Sequence, residues 1–235
     1  MVYVVGMKVM NKLEILYEDN HIIVVVKPNN VLSQADNTKD QDMLTLIKKY
    51  IKEKYNKPSN VYLGLVHRLD RPVSGIMVFA KTSKAASRLS KQVLEHKDFK
   101  KTYLAIVNNI DIDDQGEYID YIVKQNDNSS KVVDREKGKY CKLMYTTLER
   151  NKTLNLALVK INLETGRHHQ IRVQFSHHNH VLYGDQRYGK QDSKQICLHA
   201  YQLEFVHPVT KEKMCFTKKP PKEGVWLEFN DVSIK

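Results

Sequence analysis

Asp70 stands in the run His67-Arg68-Leu69-Asp70-Arg71-Pro72, followed closely by Ser74-Gly75. Pro72, Ser74 and Gly75 shape the chain into a turn. An aspartate held ionised and aimed at an electrophilic carbon is a nucleophile. Burial works against the charged form of a carboxylate, whereas a hydrogen-bonded arginine works for it. The four residues HRLD also describe a surface aspartate paired with its arginine neighbours, and the motif alone does not separate the two. A second concentration of reactive side chains is His168, His169, His177, His178 and His180. Histidines this dense can serve zinc. The chain offers no HExxH motif, no carboxylate at a matching helical offset and no cysteine pair, so no metal is expected.

The elements that must position these residues are legible from periodicity. Residues 13 to 35 hold two β-rich runs around Glu18-Asp19-Asn20, and the block from Ile22 to Val26 is apolar enough for a buried strand that Lys27-Pro28 stops. Leu44, Ile47 and Ile51 recur at helical spacing between Asp42 and Lys57, with Pro58 closing the segment. LGLVHRLD leads to the polar centre and GIMVFAKT leaves it as an apolar strand. Thr82 or Ser83 then caps a helix to about His96, with Ala86, Leu89 and Val93 on one face. KKTYLAIV is a further strand. The stretch from Asn108 to Lys142 is polar and charge-rich, with a turn at Asn126 to Ser130. Leu154 to Leu163 is a strand, a helix follows Thr165-Gly166, and Leu198 to Val206 and Val225 to Phe229 are closing strands. This pattern predicts an α+β fold: a mixed, mostly antiparallel central sheet with flanking helices and a catalytic cleft.

With 235 residues, 41% of them hydrophobic, the chain can bury a substantial core. One domain over residues 13–235 is expected, with residues 1–12 an extension of unknown role. Lys and Arg number 38 against 27 Asp and Glu, a net charge of +11 that favours a polyanionic partner such as RNA or DNA. Cys141, Cys197 and Cys215 are dispersed, which fits a reducing cytoplasm. MVYVVGM is too short for a signal-peptide core, and no run reaches membrane-spanning length. A soluble, cytoplasmic monomer is expected.

The run HRLDRPVSGIMVFAKTSKAASRLSKQ, from His67 to Gln92, resembles the signature segment of RluA-type pseudouridine synthases. Three further blocks agree in order and approximate spacing: YEDNHIIVVVKP from Tyr17, KKTYLAIV from Lys100, and ETGRHHQIRVQFSHHNHVLYGDQRYG from Glu164 to Gly189. The likeness continues through LHAYQLEFVHP and covers about residues 13 to 229. It implies the pseudouridine synthase fold and an isomerisation of uridine in rRNA or tRNA. The bond from the base nitrogen N1 to the sugar carbon C1′ breaks, the uracil turns, and its C5 joins C1′ of the same ribose. Nothing is added or removed, so no cofactor is implied.

Carried over residue by residue, the resemblance makes Asp70 the catalytic aspartate, Tyr103 the active-site tyrosine and Arg172 the aspartate's arginine partner. Tyr103 offers an aromatic face and a hydroxyl. Arg172 offers a planar fork for a carboxylate, about two turns into a helix if Thr165 caps it. Arg68 corresponds to the arginine that helps hold the target nucleotide out of the RNA stack. Lys100, Lys101 and Arg167 are candidate phosphate contacts. His67, Arg71 and His169 complete the expected substrate-facing set. Asp70 is expected to attack the sugar or the base, or to abstract a proton.

Two departures stand out. Asn29-Asn30 replaces a glycine in the turn after Lys27-Pro28, and asparagine tolerates left-handed angles. Many relatives also carry a small RNA-binding domain first, which the twelve residues ahead of Leu13 are too few to supply, so substrate choice is expected from the catalytic domain or a partner. Two rival readings are a silent RNA-binding module and a metal-dependent nuclease built on the histidines.

Overall fold

A computed structural model describes residues 13–189 and 195–229. The expected extension at residues 1–12 therefore lies outside the described residues. The chain opens with an antiparallel hairpin of β1 (Glu14–Glu18) and β2 (Ile22–Lys27). Asp19 fixes its turn by accepting from the backbone N–H of His21 and of Ile22, both at 2.7 Å. Ile23 and Val25 of β2 point into one core and Ile22 and Val24 into another. That two-sided burial explains why IIVVV is continuous rather than alternating.

Helix α1 (Met43–Lys54) covers the first face with Met43, Ile47 and Ile51, and Asp42 caps it by accepting from the Thr45 N–H. After β3 (Gly64–Leu65) and β4 (Ser74–Ala80), helix α2 (Ser83–Glu95) covers the second face with Ala85 and Leu89. Of the two expected caps, Thr82 is the N-cap, and the helix ends at His96, as expected, with that residue in the left-handed region.

The polar stretch from Asn108 to Lys142 forms part of a long antiparallel array. Here β5 (Lys100–Asn108) is followed by β6 (Gln115–Lys124), β7 (Ser130–Val133), β8 (Lys139–Asn151) and β9 (Leu156–Leu163). The chain closes through α3 (Gln170–His177), α4 (Gln186–Gly189), β10 (Leu198–Val206) and β11 (Lys213–Thr217). The sheet runs β1-β2-β4-β10-β5-β9-β8-β6-β7, with β11 on β10 and β3 on β4. The β4–β10 pair is parallel, and the other pairs are antiparallel.

Two local expectations are corrected. Residues 224–229 are a 3-10 helix, not a strand. Trp226 and Phe229 lie three apart and both reach the core formed with Leu104, Ile106 and Leu158, which suits three residues per turn rather than alternation. Thr165 does not cap α3: its hydroxyl donates to Gln170 Oε1 at 2.8 Å and accepts from the Lys142 N–H at 2.9 Å. The helix starts five residues later, behind His169 at φ 53°, so Arg172 lies in its first turn. No helix among the described residues is long and apolar enough to cross a membrane.

Candidate active site

Asp70 sits in the loop between β3 and β4, and that loop is pinned from both sides. Leu69 and Val73 are buried anchors. Ser33 Oγ donates to the Leu69 carbonyl at 2.7 Å and accepts from its N–H at 3.1 Å. Lys27 is fully buried and donates to the carbonyls of Pro28, Val31 and Arg71 at 3.0, 2.6 and 2.9 Å. Burial pulls the pKa of its ammonium down to about 7, against the opposing pull of Asp70. On the strand side Gly75, at φ 123°, passes so close to β10 that a Cβ would stand 2.4 Å from the Ala200 carbonyl oxygen. Only glycine allows that approach without a shift. Asn30, also left-handed at φ 63°, makes the turn where a glycine was missing.

The Asp70 carboxylate is 22% exposed, and two cationic or basic groups flank the same oxygen. Arg172 Nη1 is 3.5 Å from Oδ2 and His169 Nε2 is 3.6 Å from it. The bidentate fork of Arg172 goes elsewhere, so Arg172 meets Asp70 through one nitrogen rather than two. Its Nε and Nη2 donate to the two oxygens of Asp185, each at 2.8 Å. Asp185 is buried and also accepts from the N–H groups of Arg187 and Tyr188 at 3.0 and 3.1 Å. Asp185 thus holds the guanidinium, and Arg172 turns its remaining nitrogen to Asp70. A signal for this lies in GDQRYG, where the carboxylate precedes a short helix whose N–H groups face it.

His169 is set by its neighbours as well. Its Nδ1 meets Tyr188 Oη at 2.8 Å, and Tyr188 Oη also accepts from the Ser130 N–H at 2.8 Å. Burial lowers the His169 pKa to about 4 despite the attraction of Asp70, so the ring is neutral near pH 7. Tyr188 further lies under the Arg172 guanidinium, 5.2 Å from ring centroid to Cζ. Neither Asp185 nor Tyr188 was singled out by sequence reasoning.

Two cavities meet at Asp70. The inner one, about 310 Å³, is lined by Tyr103, Lys101, His67 and Ile171, and the outer cleft, about 1000 Å³, by Arg71, Lys124, Asn128 and Arg187. Arg68, Asp70, His168, His169 and Arg172 line both. The inner volume falls at the small end of ligand pockets and the outer at the large end. Burial, and then Asp70, raises the pKa of Tyr103, so its hydroxyl is a proton donor at neutral pH.

The other predicted contacts divide. Lys101 is not a surface cation: it lies inside the inner cavity, where burial brings its pKa down to about 8. His67 is a wall of that cavity. Its Nε2 accepts from the Val78 N–H at 3.1 Å, its ring meets Phe99 edge-on at 5.3 Å, and burial takes its pKa to about 3. Arg68 is exposed where the cavities join, Arg71 pairs with Asp40 at 2.7 Å on the outer wall, and Arg167 donates through Nε to the Tyr140 carbonyl at 3.0 Å. Lys100 is exposed at the start of β5. The histidines split: His168 and His169 face the cavities, whereas His177, His178 and His180 line neither.

A half-buried, charge-flanked carboxylate between a small pocket and a basic cleft suits a reaction on one base of a polyanion. The family model for RNA pseudouridylate synthase matches residues 21–177. The chain belongs to the RNA pseudouridylate synthase family. This RNA pseudouridine synthase is 33% identical over 213 residues to the dual-specificity RNA pseudouridine synthase RluA of Pasteurella multocida, covering 88% of this chain and 93% of that protein. It is 34% identical over 234 residues to the ribosomal large subunit pseudouridine synthase D of Pseudomonas aeruginosa, covering 92% of this chain and 71% of that one. The solved structure of human RNA pseudouridylate synthase domain containing 1 shares the fold of the synthase described here, with a TM-score of 0.74 at 20% identity over 95% of this chain and 89% of that one.

Proposed function

We propose that Asp70 is the nucleophile with which this synthase isomerises a uridine of rRNA or tRNA. The observation that carries the reading is the placement of Asp70 at the junction of the two cavities, with Arg172 and His169 both on Oδ2. We assign Oδ1 to the substrate. The outer cleft takes the RNA backbone along Arg68, Arg71, Lys124 and Arg187, and these cations position the strand without reading sequence. The target base leaves its stack at a cost of a few kcal/mol and enters the inner cavity against Tyr103.

Asp70 acts on the sugar or on the base, and either route ends in the same balance. The N1–C1′ bond breaks, a C5–C1′ bond forms, C5 loses its proton and N1 gains one. Arg172 steadies the carboxylate charge while the low-dielectric cavity strengthens that pairing. The rRNA assignment draws support from the ribosomal large subunit relative.

Asp70→Asn tests the reading. The amide keeps the size of the side chain but is neither a carboxylate nucleophile nor a base. The variant is expected to fold and bind RNA yet give no turnover on an rRNA or tRNA that the wild type modifies. Mapping pseudouridines in cellular RNA with and without the gene names that substrate. Turnover by Asp70→Asn above background would overturn the role.

A further inference from the structure

Helix α3 ends on His177, His178 follows it, and β6 brings a carboxylate to both. We propose that Asp120, His177 and His178 form a zinc-type divalent metal site that clips the end of α3 to β6, apart from the reaction. Sequence reasoning dismissed the histidines for want of an HExxH motif, a carboxylate at a matching helical offset and a cysteine pair. Asp120 instead arrives from a strand 58 positions away in the chain from His178.

The geometry is close to what an ion requires. His178 Nε2 is 3.1 Å from Asp120 Oδ2, and one ligand atom from each of the three residues lies within 4.8 Å of the others. Bonds of about 2.1 Å at tetrahedral angles put neighbouring ligand atoms about 3.4 Å apart. The first pair therefore opens by a few tenths of an ångström, and His177, which is exposed, swings in. Two imidazoles and one carboxylate are a donor set suited to zinc and its neighbours.

His178 and Asp120 are also held from behind, as outer partners hold ligands in built sites. The His178 ring lies flat on Tyr118, 4.0 Å between centroids at 4°. Gln174 Nε2 donates to Asp120 Oδ2 at 2.7 Å and to the Tyr118 carbonyl at 3.1 Å. Gln174 is fully buried, and its Oε1 has no hydrogen-bond partner among the described residues. A water on the ion would supply the missing donor. None of the three ligands lines either cavity, so the ion would stabilise the helix that carries Arg172 without touching substrate.

Tag-free protein stripped with a chelator and titrated with Co²⁺ should take up one equivalent, with the visible absorption of a four- or five-coordinate ion that Zn²⁺ then displaces. Zinc at a hundredfold excess over Kd should raise Tm by about 5 °C or more. His177→Gln, exposed and safe for folding, should weaken zinc binding at least tenfold, and His178→Gln likewise. His21→Gln should leave binding unchanged. The isomerisation rate should be the same with and without zinc. Absence of uptake by the wild type, or uptake unaltered by both variants, would overturn the site. A rate rising with zinc occupancy would overturn its separation from the reaction.

Discussion

The inner cavity and the outer cleft share Asp70 and Arg172, yet they hold charge in opposite ways. Around the inner cavity four groups are constrained by burial or by partners. His67 and His169 are kept neutral, Tyr103 keeps its proton, and Arg172 is clamped by Asp185 at two points of 2.8 Å. Along the outer cleft Arg68 and Arg187 lean into solvent, and Arg71 pairs with an equally exposed Asp40. Surface pairs of that kind contribute little to stability, which leaves their charges available to phosphates. The inner groups are preorganised for one geometry; the outer ones can adapt to a flexible strand. The two regions should therefore fail differently when damaged.

The largest effect is expected at the clamp. Asp185→Asn removes the charge that holds a guanidinium 6% exposed, and breaking one side of a buried pair costs about 3–5 kcal/mol. Turnover should fall with stability, since Nη1 then loses its aim at Asp70. Arg172→Lys should not restore either, because a compact ammonium has no fork for two oxygens. In Arg172→Met/Asp185→Asn the stability loss should be smaller than the two single losses summed, as thermal unfolding of all four proteins will measure. Additive losses would show that the inner region is not clamped as described.

Tyr103→Phe should come next. The ring face remains in the inner cavity while the hydroxyl is lost, so RNA binding should hold and kcat should drop by about 10²–10⁴, the range of a lost general acid–base group. Full activity would leave Tyr103 as a stacking surface.

Asp70, Tyr103 and Arg172, which line one cavity, were picked out by the resemblance to RluA-type synthases and not by periodicity, since HRLD alone does not separate a nucleophile from a surface aspartate. Asp185 and Tyr188 were not, since their tasks depend on a short helix meeting the first turn of α3, a contact that periodicity does not record. The misplacement of Arg172 two turns into a helix has the same cause: Thr165 looked like a cap, but Gln170 had claimed its hydroxyl. In the fold, the strands from Gln115 to Asn151 were hidden because the buried face of β6 carries Tyr118, Asp120 and Ile122, a mixture that alternation of apolar residues does not reveal.

A pH series sharpens the contrast. His67 and His169 have folded-state pKa values of about 3 and about 4, against about 6.5 in an unfolded chain. Below 6.5 the unfolded state binds protons that the folded state refuses, so their contribution to stability is complete above pH 6.5 and is lost progressively as pH falls toward 3. Tm should decline through that window, and His67→Gln should flatten the decline. A Tm independent of pH from 7 to 4 would mean the inner histidines are not held neutral.

The outer cleft should answer to salt where the inner cavity answers to pH. Lys124→Ala and Arg187→Ala each remove one cation from the cleft wall, and the ion-pair partners of Asp70 are instead His169 and Arg172. Phosphate contacts release counterions, so each contact contributes about 0.7 to the slope of log K against log salt for a single strand and about 0.9 for a duplex. Each variant should therefore bind RNA a few-fold more weakly at low salt, with a slope shallower by about that amount. Single-turnover rates at saturating enzyme should match the wild type, because the carboxylate, its clamp and Tyr103 are untouched. The double variant should lose both increments of slope, as charges acting independently through solvent do. If either change instead lowers the saturated rate while the salt slope stays at its wild-type value, that side chain helps to set the reacting geometry, and the division between an adaptable cleft and a preorganised pocket fails at that residue.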